Sequence, residues 1–327
     1  DASVIRTAFS SLLRDAHDYT CMFTDSRGNE LVQGTLCTPG MAGAMALGMM
    51  GVGTAQAETY KGTAYVAGMG GHFAVADLTI DPSAATPITV NSLDKIDIGA
   101  YDTHPTHDSR IDAADRQTMF WSTYKPDESA DGMLHIGKSD LATGEVLKDA
   151  AVKIPDGTLW SGANYCASGQ SKEHFFPISM AKPGYISVVR KSDMKLVRNV
   201  FLEGTEADIG KGYKFYHGAT SPDLKEMVVS INESDAPPSA EGVGDTIGKM
   251  HLVVLDTAAL EKGKVKVLRK GMVDGNAKST ISFRMYYSPD GKHIAIGAAD
   301  MLMLIDAQSL EIIDAETVHS VEQLHDS

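Results

Sequence analysis

The chain has 327 residues, 43% of them hydrophobic and 22% charged; this is the balance of a folded soluble protein and excludes intrinsic disorder and fibrous classes. Forty-three acidic residues against 29 basic ones give a net charge of −14, so a nucleic-acid backbone would be repelled over most of the surface. The three cysteines, Cys21, Cys37 and Cys166, are too few for a disulfide scaffold and show neither C-x-x-C nor C-x-x-C-H spacing, which argues against structural zinc and covalent c-type haem.

The chain opens on Asp1 rather than methionine, and it is read as a piece of a longer frame in preference to a processed product. Residues 1–40 are expected to form an N-terminal extension: a helix-like start (Val4, Ile5, Ala8, Phe9, Leu12, Leu13), then a hairpin-like stretch from Tyr19 to Cys37 around Asp25-Ser-Arg-Gly-Asn29. They are either a small separate unit or the product of a misassigned frame, and in an exported chain Cys21 and Cys37 could pair across the hairpin. Residues 41–57 are uncharged and apolar and end in Ala55-Gln-Ala57, the small-x-small pattern of a signal-peptide cleavage site. The stretch is short and weakly hydrophobic for a stable membrane span of about 20 residues. The forty residues before it depart from an ordinary signal, which follows directly on basic residues; a buried glycine-rich helix is the alternative.

From Glu58 to Ser327 short β-branched and aromatic runs alternate with Gly, Asp, Pro and Ser turns, the pattern of an all-β domain. Self-similarity is present near the period of roughly 40–50 residues that marks a propeller. His217-Gly-Ala-Thr-Ser-Pro-Asp-Leu-Lys-Glu-Met-Val-Val-Ser aligns with Arg284-Met-Tyr-Tyr-Ser-Pro-Asp-Gly-Lys-His-Ile-Ala-Ile-Gly, and less closely with the segments that open at Asn164 and His107. Each copy is followed by an alternating strand, a polar turn and another strand, clearest in Met301-Leu-Met-Leu-Ile-Asp-Ala-Gln-Ser-Leu-Glu and His251-Leu-Val-Val-Leu-Asp-Thr-Ala-Ala-Leu. The alternation is expected to bury Val253, Leu255, Leu302 and Leu304 between stacked sheets. Four strands per unit define a propeller blade. Leu324-His-Asp-Ser327 repeats the His107-Asp-Ser109 start of an earlier unit, so the expected fold is a β-propeller of four-stranded blades, an incomplete ring of roughly seven or eight, truncated at its C-terminal end.

The Ser288-Pro-Asp-Gly-Lys292 turn, with Ile294-Ala-Ile-Gly297 and Leu302-Met-Leu-Ile-Asp-Ala-Gln-Ser-Leu-Glu311 after it, resembles the YVTN-type repeats and the related haem d1 propellers of periplasmic cytochrome d1-like proteins. The resemblance covers about residues 60–327 and is specific for the blade rather than for an activity. It implies a superfamily that includes haem d1 reductases, d1-biosynthesis proteins, amine dehydrogenase propeller subunits and binding proteins.

In this blade grammar the anchor residue opens the innermost strand, so His107, Asn164, His217, Arg284 and His325 are expected to converge at one mouth of the central channel. Imidazoles from different blades can ligate haem iron or copper, and Arg284 can receive a carboxylate or another anion; the competing reading is that these residues bond strand ends and order channel water. His104 and His107, three apart on a turn, form a candidate metal pair or an ordinary loop. His72 is read as structural, and His174, aligned with Met227, as lying inside a blade. Asp127 to Gly132 lacks the alternating carboxylates of a calcium loop and reads as a hairpin turn; Gly68 to Gly71 lacks the following helix of a phosphate loop. No catalytic residue can be assigned.

The leading expectation is an exported periplasmic or secreted propeller that binds a small ligand or a protein partner on one face, within a respiratory or redox system. The alternative is an oxidoreductase of the haem d1 or amine dehydrogenase-like type, with haem d1 or copper as cofactor. A third reading is an interaction scaffold whose channel residues have no role in binding.

Overall fold

The computed structural model describes residues 19–25, 30–34, 59–68, 70–81, 84–100, 103–127, 132–158, 164–210, 213–233, 249–274, 282–298 and 301–317. They form 21 strands and one short helix. The strands are grouped in five antiparallel sheets, four of them four-stranded and the first five-stranded. The fold is thus a β-propeller, and its described residues build five blades where roughly seven or eight were expected for a complete ring. His325 and residues 41–57 lie outside the described residues, as does Cys37 and with it the Cys21–Cys37 pairing.

In the first sheet β1 (Tyr19–Asp25) and β2 (Glu30–Gly34) form the hairpin that the Asp25–Asn29 turn suggested, and β1 lies antiparallel to β3 (Tyr60–Gly68). β4 (His72–Ile80) and β5 (Ile88–Asp97) complete it. The second sheet runs β6 (Thr106–Ile111), β7 (Thr118–Thr123), β8 (Leu134–Asp140), β9 (Val146–Val152), and the third β10 (Tyr165–Gln170), β11 (His174–Ser179), β12 (Tyr185–Arg190), β13 (Lys195–Phe201). The fourth comprises β14 (Tyr213–Thr220), β15 (Glu226–Glu233), β16 (Lys249–Asp256) and β17 (Val267–Asp274), with helix α1 (Thr257–Glu261) between the last two. The fifth is β18 (Ser282–Tyr287), β19 (His293–Ala298), β20 (Met301–Asp306) and β21 (Ile312–Thr317). In the last four blades the strands follow one another in space as they do in sequence, so each blade is a meander begun by its innermost strand.

Apolar layers lie between successive sheets. Phe176, Ile178, Ile186 and Val188 of the third blade meet Met227, Val229, Val253 and Leu255 of the fourth. On β16 the four consecutive residues Leu252 to Leu255 are all fully buried, because the fourth blade is covered on both faces. β20 differs: Met303 and Ile305 face the fourth blade, whereas Leu304 is 37% exposed and Leu302 partly so. The expected burial holds for Val253 and Leu255 and is displaced by one residue in the fifth blade, where Leu302 and Leu304 take the face turned away from the fourth.

The repeated turns are held by side chains. In the Ser-Pro-Asp turns, Ser288 Oγ donates to Asp290 Oδ1 at 2.6 Å and accepts from the His293 amide at 3.0 Å, and Ser221 makes the matching bonds with Asp223 and Glu226. In the Asp-x-x turns, Asp306 Oδ1 accepts from the amides of Gln308 and Ser309, as Asp140 Oδ1 does from Ala142 and Thr143. Asp256 uses the same grammar to cap α1, accepting from Ala259 N at 3.0 Å.

These bonds favour the charged carboxylates. The Ser288 hydroxyl lowers the Asp290 carboxyl from its ordinary value of 3.8, and the Ser309 amide lowers Asp306. A carboxyl depressed in the folded state contributes stability that is present above its unfolded value and is lost as the pH falls through the folded one. The contribution of these turn carboxylates to thermal stability, read from melts recorded against pH, should therefore be constant near neutrality and decline below about pH 4. The double variant Asp290→Asn, Asp306→Asn should show a shallower acid decline than the parent; an identical acid limb would refute this role.

Candidate functional site

Inner strands β6, β10, β14 and β18 share a local irregularity. The pairing of each with its neighbour slips once, between Thr106 and Asp108, Tyr165 and Ala167, Phe215 and His217, and Ser282 and Arg284. A bulge at this point bends the strand and re-aims the side chains beside it. The residue that resumes pairing is Asp108, Ala167, His217 or Arg284, which makes these four positions equivalent. The sequence alignment is therefore in register for His217 and Arg284, one residue out for His107 and three out for Asn164. Hairpin length contributes: the turn from Ser171 to His174 is shorter, and that from Asp112 to Thr118 longer, than Ser221 to Glu226 or Ser288 to His293.

Arg284 is only 1% exposed and joins four of the five blades. Its Nη1 donates to Cys166 O of the third blade at 2.7 Å and lies 3.4 Å from Asp108 Oδ1 of the second and 3.5 Å from His217 Nδ1 of the fourth. Nη2 lies 3.3 Å from His107 Nδ1 and 3.4 Å from His107 O. A guanidinium only donates, so an imidazole nitrogen that accepts from it carries a lone pair and the ring proton sits on Nε2. His107 is further fixed by stacking on Tyr124, with ring centroids 4.7 Å apart. Asp108, His107 and His217 are all buried.

A second layer runs beside the first. Arg110 Nη2 donates to Ser168 O at 2.6 Å, again reaching a backbone carbonyl of β10 from another blade. Lys191 Nζ bonds Asp112 Oδ1 and Gln170 Oε1, each at 2.8 Å, and lies over the Phe120 ring. Burial lowers the Lys191 ammonium from its ordinary value, with Asp112 opposing.

The sequence-predicted residues thus separate into groups. His107, His217 and Arg284 converge. Asn164 does not join them: it precedes β10, where its amide donates to Tyr124 O at 2.6 Å and its Oδ1 accepts from Ser179 Oγ and Tyr185 OH. His104 and His107 do not share a point either. His104 Nε2 faces Asp149 Oδ2 at 3.0 Å, and its ring lies 4.3 Å from that of His135. Burial acts to raise the Asp149 carboxyl, but hydrogen bonds from His104 and His135 outweigh it and hold the group well below the usual carboxylate range. His72 opens β4 and bonds Gly70 O, as a structural residue does. His174 opens β11 and pairs with Glu261 of α1, so its expected place inside the blade belongs to Phe175. Sequence reasoning missed Asp108 and Cys166 as partners of Arg284, and Arg110 and Lys191 in the layer beside them; the signal available for Arg110 was its period-two spacing from Asp108.

The radial sheets and this charged axial cluster define a β-propeller. The chain matches no protein-family model and no curated protein. Solved structures similar to it include Kuenenia stuttgartiensis hydrazine synthase, with a TM-score of 0.46 and 15% identity over 75% of this chain and 60% of that one. They also include the Myceliophteria thermophila Cps50 (Swd1) β-propeller domain, with a TM-score of 0.39 and 15% identity over 67% of this chain and 57% of that one. A third is dihydro-haem d1 dehydrogenase NirN in complex with DHE, with a TM-score of 0.40 and 12% identity over 81% of this chain and 46% of that one. The chain spans between about half and three fifths of the length of these structures.

Arg284→Met should destabilise the chain by about 3–5 kcal/mol, because it leaves the Asp108 carboxylate buried beside the lost cation. The double variant Arg284→Met, Asp108→Leu should recover much of that loss. Denaturant midpoints of the parent and both variants measure the effect, and a single variant as stable as the parent would contradict it.

Proposed function

We propose that this chain is an extracytoplasmic binding propeller of the YVTN or cytochrome d1-like type, whose axial cluster receives a small anionic ligand. The observation that carries the reading is the convergence of a buried guanidinium and two buried imidazoles from three blades: Arg284, His107 and His217 meet in a chain whose net charge is −14. A guanidinium held within low-dielectric walls attracts anions from solution. His107 stacked on Tyr124, and His217, would supply donors from Nε2 once their Nδ1 atoms accept from Arg284.

The redox alternative is less well supported by the same geometry. Iron or copper held by His107 and His217 through Nδ1 would have to occupy the place of the Arg284 guanidinium, and ligation of the neutral rings through Nε2 would turn an Nδ1–H against the guanidinium N–H donors. Export is proposed from the apolar segment 41–57 and its Ala55-Gln-Ala57 end. Cleavage after Ala57 would remove β1 from its pairing with β3, so the N-terminal residue of the exported product decides whether that hairpin belongs to the mature blade.

Thermal shift of the purified chain with acetate, nitrate or phosphate, against urea as a neutral control, tests the binding reading. An anion that binds at a hundred times its Kd should add about 2.7 kcal/mol of stability. The shift should shrink in His217→Gln, which leaves Arg284 in place. No shift with any of these anions would overturn the assignment, and visible absorbance of the purified protein would favour the redox alternative.

A further inference from the structure

We propose that His104, His135 and Asp149 form a binding site for a divalent transition metal, Zn2+ or Cu2+, on the second blade and separate from the axial cluster. One ligand atom from each of the three residues can be chosen so that all lie within 4.8 Å of one another. The residues come from three places in the chain: His104 from the turn before β6, His135 from β8 and Asp149 from β9. Register explains the meeting of the last two. His135 pairs with Ala151 and Gly137 with Asp149, so His135 and Asp149 are diagonal neighbours on one face of the sheet.

The distances suit a single ion. His104 Nε2 lies 3.0 Å from Asp149 Oδ2, and His135 Nδ1 lies 2.9 Å from Asp149 Oδ1. Tetrahedral zinc with bonds of about 2.0–2.2 Å separates its ligand atoms by roughly 3.3–3.5 Å, so small side-chain rotations would admit the ion. Two imidazoles and a carboxylate are the donors that suit Zn2+ and Cu2+ better than hard cations.

Outer contacts already orient the ligands. Thr103 Oγ1 lies 2.7 Å from His104 Nδ1, which leaves Nε2 as the ligating nitrogen. On the other ring, Asp127 Oδ2 stands 3.7 Å from His135 Nε2, on the side away from Asp149. The backbone is shaped to the ring of His104: a Cβ on Gly99 would come within 2.1 Å of its Nδ1. Trp121 walls the site with its ring centroid 5.7 Å from that of His104. The His104 and His135 side chains are 12% and 14% exposed and that of Asp149 32%, so solvent reaches the site from the carboxylate side. Three protein ligands with one open side leave a coordination position for water or an exogenous ligand.

The test uses the full chain, free of any histidine tag and stripped with a chelator. Zn2+ is titrated in competition with a chromophoric chelator, and Cu2+ is followed by quenching of Trp121 fluorescence, with Trp121→Phe identifying the emitter. The expected result is one equivalent bound, weakened about 10–100-fold by Thr103→Val, which removes the orienting contact to His104 together with the Thr103 Oγ1 bonds to the Ala100 backbone. His104→Gln or Asp149→Asn should weaken it further, while His251→Gln, in the fourth blade, should leave it unchanged. Circular dichroism checks that each variant folds. Binding that is absent from the parent, or that survives in folded His104→Gln and Asp149→Asn, overturns the proposal; the anion shift at Arg284 is read independently.

Discussion

The innermost strands β6, β10, β14 and β18 each turn an edge toward the axis, and the structure depends on what covers it. A sheet edge exposes a row of amides and carbonyls. Here the edges are joined by side chains. Arg284 and Arg110 donate to the carbonyls of Cys166 and Ser168 on β10, and Thr106 Oγ1 donates to Gly68 O. The Gln170 amide donates to Thr220 Oγ1. Successive blades are therefore tied at the axis by directional bonds, while their faces are held by non-directional apolar burial. Guanidinium suits this role because it presents several donors in a fixed plane and keeps its charge when buried.

The same requirement explains why the interior is polar at its centre and apolar between blades. Phe176, Ile178, Val253 and Leu255 fill layers in which no polar partner is needed. Near the axis, Asp108, His107, His217 and Arg284 are as deeply buried, but each is engaged by a group from another blade. Truncating one member would leave the others buried without it, so this cluster has little tolerance for single changes. The His104 group is different. Its His135 and Asp149 sit on the outer strands β8 and β9 of one blade, its His104 on the turn before β6, and it opens to solvent.

Much of the blade was legible in the sequence because its turns carry chemistry. Serine and aspartate at fixed offsets are needed to bond the turn amides, so Ser221 and Ser288 announced two inner hairpins that the structure contains. Where the turn is shorter, as at Ser171 to His174, that marker moved, and Asn164 was aligned in place of Ala167. Convergence of His107, His217 and Arg284 followed from placing the anchors on inner strands. Their pairing to one another did not, since it depends on bulges that a single sequence does not mark. His135 and Asp149 could not be linked to His104 from spacing, because a diagonal register across outer strands brings them together. The side of β20 that is buried was also hidden: Leu302 and Met303 are both apolar, and only the position of the neighbouring blade separates them.

The recurrent bulge has a consequence for how such a chain can diversify. It sets the same backbone course in four strands, yet the residue just past it is an aspartate, an alanine, a histidine or an arginine. Shape and chemistry are thereby uncoupled at the centre of the molecule. At three of these positions the side chain belongs to the polar cluster, whereas Ala167 is fully buried in the apolar layer between the third and fourth blades, so the same bulge serves an ionic tie in one blade and hydrophobic packing in another.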